Sequence, residues 1–432
     1  MYKKFSSLIM GTAIIRIIGL GLGFLIGVQL ARYLGVKEYG LYASIMSIVA
    51  LLMLPTEMGL PRLLTREVSK IISGDEVEVK RIFYWGLSQV FKASVLIIIF
   101  IIGYFIFLND KNNGYILVFT CLLVPLTAFL NIYCAVLRGL HFIAISQCFD
   151  TILRNGLYSA LLFASFYFFN VIDARLAIFL STFSVLVSLV FSYIFLNRKI
   201  KNLWKFDVER ISKKKSKEYW SSAIPMALIE GMMVVRSNFQ ILLLGGLSTL
   251  TEVGLYKIAV STLLVLSLPI TVINISLAPQ ISRLFQQCEM ESISMILKKS
   301  VIFLFLSTLF LFTPFIFFGH EIFAYVYGVE YIAANYIFIV LGVGMLISSF
   351  FGINAIFLNM TGHERYVLKS GVYSLVVMIL ISLPLIYLLE GVGAAISSSF
   401  ALVFWSFLMW RFSKNVVGFE TSLFSLINFF KK

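Results

Sequence analysis

The stretch "GTAIIRIIGLGLGFLIG", residues 11–27, is built like a membrane helix with an arginine in its middle. Lys3 and Lys4 mark a polar edge, and from Phe5 to Leu30 Arg16 is the only charge. At about 1.5 Å of helix rise per residue, Arg16 lies roughly 18 Å from Lys4, near the centre of a hydrocarbon layer about 30 Å thick. A guanidinium facing lipid at that depth costs at least ~3 kcal/mol, and its side chain is too short to reach the surface. Arg16 must therefore face something other than lipid.

The rest of the chain agrees with a membrane reading. Of 432 residues, 60% are hydrophobic and 13% charged, against about 25% charged in soluble domains. The expected class is an all-α polytopic membrane protein. The first apolar run is kept in the mature fold, because it is long, lacks a small-residue cleavage site and contains Arg16. Apolar runs bounded by charges give twelve spans, at about 6–31, 40–61, 82–108, 115–137, 145–169, 174–196, 219–244, 253–275, 300–319, 331–358, 367–389 and 391–410. The basic text "NRKIKNLWKFDVERISKKKSKEYW" divides them into two sets of six. The expected organisation is an N-terminal six-helix lobe at 1–200, a basic linker at 201–218, a C-terminal lobe at 219–411 and a tail at 412–432.

Orientation follows from lysine and arginine. One side holds five of them in 62–81 and nine in 198–217, with Lys3, Lys4, Lys431 and Lys432. The other has only Arg32, Lys37, Lys111, Arg175 and Lys257. The basic side is expected to be cytoplasmic, with both termini inside. The net charge of +14 then suits anionic lipids of the inner leaflet, and nucleic acid is not needed to explain it. The cysteines show no CxxC spacing and read as small core residues. No metal cluster, phosphate-cradling loop or catalytic triad is legible, so neither cofactor nor metal nor enzymatic activity is expected.

The two halves repeat. "KEYGLYASIMSIVALLMLP" (37–55) aligns with "TEVGLYKIAVSTLLVLSLP" (251–269), matching Glu38, Gly40, Leu41, Tyr42 and Pro55 with Glu252, Gly254, Leu255, Tyr256 and Pro269. "NIYCAVLRG" (131–139) aligns with "NAIFLNMTG" (354–362). Six spans separate the copies, so the halves enter the membrane the same way, as parallel repeats of a kind transporters use for alternating access. After the second span of each half comes an amphipathic segment, "PRLLTREVSKIISGDEVEVKR" and "PQISRLFQQCEMESISMILKK", suited to a helix lying at the interface.

Charges at membrane depth mark the candidate site. Arg16 shares a face with Thr12, Gly19, Gly23 and Gly27, and the glycines either admit another helix backbone or leave open space. Lys92 lies on the third span, Arg154 on the fifth, and Arg236 with Gln240 on the seventh. Asp150 and Arg154, at i and i+4, suit an ion pair within one helix. Glu57 ends the second span, and Glu230 is the repeat counterpart of Arg16. Buried cations in excess call for an anionic substrate, and arginine's fork suits phosphate or diphosphate. Arg16 is expected to face a hydrated central cavity between the halves.

Residues 11–70, "IIRIIGLGLGFLIGVQLARYLGVKEYGLYASIMS…GLPRLLTREVSK", resemble the polysaccharide-export flippases of the multidrug/oligosaccharidyl-lipid/polysaccharide (MOP) superfamily. The arginine-bearing first helix, the ARxLG turn with YGxY and the LxR exit of the second helix carry the likeness, which extends over the whole chain. Closest in character are the O-antigen flippases called Wzx. The lipid II flippase resembles the chain through Arg16 and through Glu57 before Gly59. The resemblance implies a MATE-like fold of two six-helix lobes around a V-shaped cavity. It implies a cargo of undecaprenyl-diphosphate-linked oligosaccharide for O-antigen, lipopolysaccharide or capsule, moved across the bacterial inner membrane by an H+ or Na+ gradient or by membrane potential. It also implies that Arg16 meets the diphosphate or an anionic sugar, and that a polymerase of the pathway is a partner. The seventh span departs from the family pattern, with Asn238 where an aspartate follows the arginine, which leaves Glu57, Asp150 and Glu230 as coupling candidates. The alternatives are a drug or cation antiporter of the same superfamily, and a membrane polymerase or acyltransferase of the same pathway.

Overall fold

The computed structural model describes residues 2–71, 76–108, 114–169, 172–200, 211–418 and 422–423, and every regular element among them is helical. Part of the expected linker (201–210), most of the tail, Lys111 and the side chains of Lys3, Lys4 and Thr12 lie outside the described residues. The helices in chain order are α1 (Tyr2–Glu57), α2 (Leu60–Ser69), α3 (Glu76–Leu108), α4 (Gly114–Gly139), α5 (Ile143–Gln147), α6 (Arg154–Phe169), α7 (Ala174–Lys199) and α8 (Lys213–Leu247). They continue as α9 (Leu250–Leu266), α10 (Leu268–Gln286), α11 (Met290–Val326), α12 (Ala334–Phe350), α13 (Asn354–Met360) and α14 (Glu364–Phe412).

Among the described residues, seven helical stretches are long and apolar enough to cross a membrane, and nine if the bent pairs α9–α10 and α12–α13 each count as one. The chain is a multi-pass membrane protein. Two of the seven, Ile14–Glu57 with 44 residues and Glu364–Val416 with 53, far exceed the ~20 residues of a single crossing. Each is broken. Gly35 (φ 73°, ψ 169°) interrupts α1, and Glu390 (φ 48°, ψ −124°) interrupts α14. These breaks fall between the first and second, and between the eleventh and twelfth, spans read from the sequence. The fifth of those spans is interrupted by a π-helical turn, Cys148–Leu153, which leaves α6 with 16 residues.

A break exposes the amide that begins the next helical leg, and a carboxylate is a natural cap for it. Both breaks use this device. Val36 N donates to Glu330 Oε2 at 3.3 Å, and Gly391 N donates to Glu252 Oε2 at 3.1 Å.

The chain divides into two compact units, Met1–Leu34 with Leu41–Asn238, and Gly35–Gly40 with Phe239–Lys432. In the first, α4 packs against α2, α3 and α7. Its core joins Leu63, Leu64, Phe83, Ile132, Val136 and Tyr219. The start of α8 is tied in by Trp85 Nε1, which donates to Ser216 Oγ at 3.1 Å, and by an ion pair between Lys215 and Glu78.

In the second unit α12 packs against α9, α11 and α14. Within it the repeat glycines meet reciprocally: a Cβ on Gly40 would overlap the carbonyl of Leu250, and one on Gly254 would overlap the carbonyl of Val36. Each glycine thus receives the carbonyl four residues before the other.

The two amphipathic segments end differently. The first forms α2, with Leu60, Leu63, Leu64 and Val68 buried. The second is not a separate interfacial helix. It is the end of α10 and the start of α11, turning at Cys288 (φ 57°), because Ile281, Leu284, Ile293 and Leu297 are drawn into one core cluster.

Candidate functional site

The site in the first unit begins with the turn after Glu57. Met58 (φ 44°) and Gly59 (φ 74°) are both left-handed, which stops α1, and Pro61 pre-sets the first turn of α2. The backbone of α8 crosses close to this turn. A Cβ on Gly59 would lie 2.5 Å from the Ala223 carbonyl oxygen and 2.7 Å from Ala227 N. Only glycine satisfies both the dihedral and the approach.

That crossing brings Arg62 of α2 into an ion pair with Glu230 of α8. The pair borders a cavity of about 440 Å³ whose polar lining is Arg62, Thr65, Arg66, Ser69, Arg138 and Glu230. Arg66 is paired with Glu67 at 2.8 Å. Thr65 Oγ1 donates to the carbonyls of Pro61 and Ala135 at 3.0 Å, fastening α2 to α4. Arg138 makes no hydrogen bond or ion pair among the described residues. The cavity therefore holds three guanidiniums against one carboxylate of its own.

Glu57 adjoins this arrangement. Its Oε1 accepts a hydrogen bond from Asn131 Nδ2 at 2.6 Å, and it lies within electrostatic range of Glu230, Asp150 and Arg138. Asp150 sits in the π turn and pairs with Arg154 at 3.4 Å, the expected pair within one helix. Arg154 Nε also reaches Asn155 Oδ1 at 3.5 Å. π-Helical turns recur at functional sites because they re-aim side chains. Glu57, Asp150, Glu230 and Arg154 are thus gathered with Arg62 and Arg138 into one polar region.

The remaining expected residues are not gathered there. Arg16 is exposed on the surface of α1. One turn on, a Cβ at Gly19 would overlap Thr151 of the π turn, whereas Gly11, Gly23 and Gly27 have nothing within 4 Å. At Gly19 the neighbour is a threonine side chain and not a helix backbone, while Gly23 and Gly27 face open space. Lys92 lines a separate groove between α3, α4 and α7. Arg236 is partly buried on α8. Gln240 falls in the second unit, where its Nε2 donates to Ser382 Oγ at 2.8 Å and Ser397 Oγ at 3.0 Å.

The halves differ in charge. At the repeat offsets of 214 and 223 residues, Thr271 stands for Glu57, Tyr373 for Asp150 and Val377 for Arg154. Sequence reading missed Arg62, Arg66 and Arg138 as site residues. For Arg62 and Arg66 the signal was the Gly59-Leu60-Pro61 turn followed by a strongly amphipathic helix; Arg138, in the last turn of α4, had no such signal.

A family profile described as "Polysaccharide biosynthesis protein" matches residues 2–285. No curated protein matches the chain. Solved structures do. An inward-facing multidrug-resistance MATE transporter of the MOP superfamily is 14% identical, with a TM-score of 0.75 over 93% of this chain and 94% of its own. The lipid II flippase MurJ, in an inward closed conformation, is 12% identical, with a TM-score of 0.72 over 94% of this chain and 87% of its own. A MOP superfamily transporter from Pyrococcus furiosus, described as having a binding pocket of reverse polarity, is 16% identical, with a TM-score of 0.55 over 95% and 94%. At such identities the likeness establishes the fold, which is that of the MOP superfamily.

Proposed function

The chain belongs to the polysaccharide biosynthesis protein family, and from that premise we propose that it is a flippase for a lipid-linked oligosaccharide. The cargo is an undecaprenyl-diphosphate-linked repeat unit of O-antigen or capsule type, moved from the cytoplasmic to the outer leaflet of the bacterial inner membrane. The observation that carries this reading is the cavity beside α2, lined by Arg62, Arg66 and Arg138, of which Arg62 pairs with Glu230 and Arg66 with Glu67 while Arg138 has no ion pair among the described residues. Planar guanidiniums match diphosphate oxygens in pairs, and a surplus of them selects an anion. A site for drug cations would need the opposite balance.

In this reading Arg16 meets the anionic part of the cargo and the transporter works by alternating access. Glu57, Asp150 and Glu230 are the groups available to exchange protons or sodium ions. Dividing α1 and α14 at their breaks and counting the interrupted fifth span gives twelve crossings, with both termini cytoplasmic. Lobes at 1–200 and 219–411 then flank a basic cytoplasmic linker. A membrane polymerase consuming the flipped product is the natural pathway partner.

The experiment is translocation of a fluorescent lipid-linked oligosaccharide by the purified protein in proteoliposomes. Translocation without ATP, accelerated by an imposed ion gradient, is expected. A strict ATP requirement, or equal transport of cationic drugs, overturns the proposal.

A further inference from the structure

One hydrogen bond sets the spacing of two guanidiniums in the cavity beside α2. Thr65 Oγ1 donates to the Ala135 carbonyl at 3.0 Å; Arg62 stands three residues before Thr65, and Arg138 three residues after Ala135. The two helices are tightly seated there, since a Cβ on Gly139 would lie 2.6 Å from Val68 Cβ and 3.1 Å from the Thr65 carbonyl oxygen. Arg138 is in the last turn of α4 and Arg62 in the first turn of α2, each just past a span read from the sequence. Both thus stand at the polar edge of the membrane, the depth of a lipid's phosphate groups. The crossing of α8 over Gly59 brings Glu230 to that same level.

The carboxylates of this region differ in how firmly they are held. Glu67 is gripped by Arg66 at 2.8 Å and by Lys70 at 2.9 Å, and its side chain is 15% exposed. Glu230 has one cation as partner among the described residues, Arg62, and both side chains of that pair remain open. Such an open pair is weak. Arg138 lines the same cavity and has no hydrogen bond or ion pair among the described residues. A diphosphate spreads its charge over two adjacent phosphoryl groups, which gives it oxygens enough for two guanidinium forks. The second fork is the one that Glu230 already occupies.

We propose, on the reading of this cavity as the cargo's anion site, that Glu230 is a built-in competitor that releases the cargo. It gives up Arg62 to one phosphoryl group on binding and reclaims it on departure, while Arg138 holds the other phosphoryl group. The displaced carboxylate stays tethered on α8 beside the arginine it has lost. Each transient opening of the Arg62 contact lets it return, which leaves the diphosphate on Arg138 alone and speeds its escape. A site that passes its ligand on must bind weakly enough to let it leave, and two forks without a rival would hold a diphosphate too long.

Dissociation of a fluorescent farnesyl-diphosphate-linked N-acetylglucosamine from the full-length protein in nanodiscs tests the proposal. Glu230→Gln should slow dissociation about threefold, within the range an open ion pair allows. Arg62→Gln should weaken binding about tenfold, through the loss of one charge-assisted fork. In the Arg62→Gln background, Glu230→Gln should have no further effect, because the arginine competed for is gone. With saturating cargo in proteoliposomes, Glu230→Gln should transport more slowly than wild type. Equal slowing of dissociation by Glu230→Gln with and without Arg62 overturns the competition, since removal of any nearby negative charge would do the same. A saturating rate at or above wild type overturns the role in release. Either result leaves the cargo reading standing as long as Arg138→Gln weakens binding. Unchanged binding in both Arg62→Gln and Arg138→Gln overturns the cargo reading and this inference together.

Discussion

Arg62 on α2 and Glu230 on α8 form an ion pair, and both side chains remain partly open, at 48% and 29% exposure. A pair this open contributes only ~0.2–1 kcal/mol to stability. Its consequence is electrostatic: the carboxylate occupies an arginine that an arriving anion can claim. Glu230→Arg should therefore abolish export with little loss of thermal stability, and the exchange Arg62→Glu with Glu230→Arg should restore part of it. Surface polysaccharide at matched protein levels is the measurement. No rescue by the exchange would show that the pair itself is irrelevant.

Glu57 separates a structural role from a coupling one. Glu57→Gln keeps an acceptor for Asn131 and removes the charge, so the protein should stay folded while gradient-driven transport fails. Glu57→Ala leaves Asn131 Nδ2 without its partner and should lower stability by about 1–3 kcal/mol. Thermal unfolding in detergent together with proteoliposome transport distinguishes the two. Full gradient dependence in Glu57→Gln removes Glu57 from the coupling candidates.

Arg16 should respond to charge more than to shape. Arg16→Lys keeps the charge and loses the fork, and should retain partial export. Arg16→Ala and Arg16→Leu should abolish export at normal membrane levels. Leucine is the deciding substitution, since a residue merely packed or facing lipid would tolerate it; full complementation by Arg16→Leu refutes contact with the cargo.

Gly59→Ala should be among the more damaging small substitutions in the chain. The left-handed dihedral alone costs an alanine about 1–2 kcal/mol, and the added Cβ also meets the α8 backbone. A lower unfolding temperature of the purified protein is expected, with Gly231→Ala as control, because a Cβ there meets only Leu54 at 3.9 Å. Equal behaviour of the two variants would contradict the close crossing.

Sidedness is open to direct test. In a background without native cysteines, Lys213→Cys should be protected from an impermeant thiol reagent in intact cells, and Glu330→Cys should react. Labelling of Lys213→Cys from outside would sink the orientation read from the basic residues.

The breaks of α1 and α14 were legible because apolar length and punctuation are local properties, whereas the bends inside 253–275 and 331–358 and the π turn inside 145–169 were not. The text between spans 6–31 and 40–61 contains Gly35, and the boundary between 367–389 and 391–410 falls at Glu390, where the backbone leaves helical geometry. The arginine cavity was not legible. It depends on α8 returning across the Gly59 turn, a long-range packing event that periodicity does not encode. Glu230 stood out as the counterpart of Arg16, yet its partner is Arg62, which stood in the amphipathic segment and in the count of positive charge but not among the site residues. Lys92 was grouped with Arg16 by depth alone, and depth does not say which face of the bundle a side chain serves.

The reciprocal seating of Gly40 and Gly254 has a consequence for biogenesis. Residues 35–40 are made more than two hundred residues before the backbone they pack against. At about 5–20 residues per second, that interval is roughly 10 to 40 s. Throughout it the break at Gly35 lacks the Glu330 carboxylate that caps it, and the Gly40 surface lacks its mate. The early membrane-inserted chain is consequently an incomplete object, with a sticky, small-residue seam that must be kept from pairing with the wrong helix until the second repeat arrives.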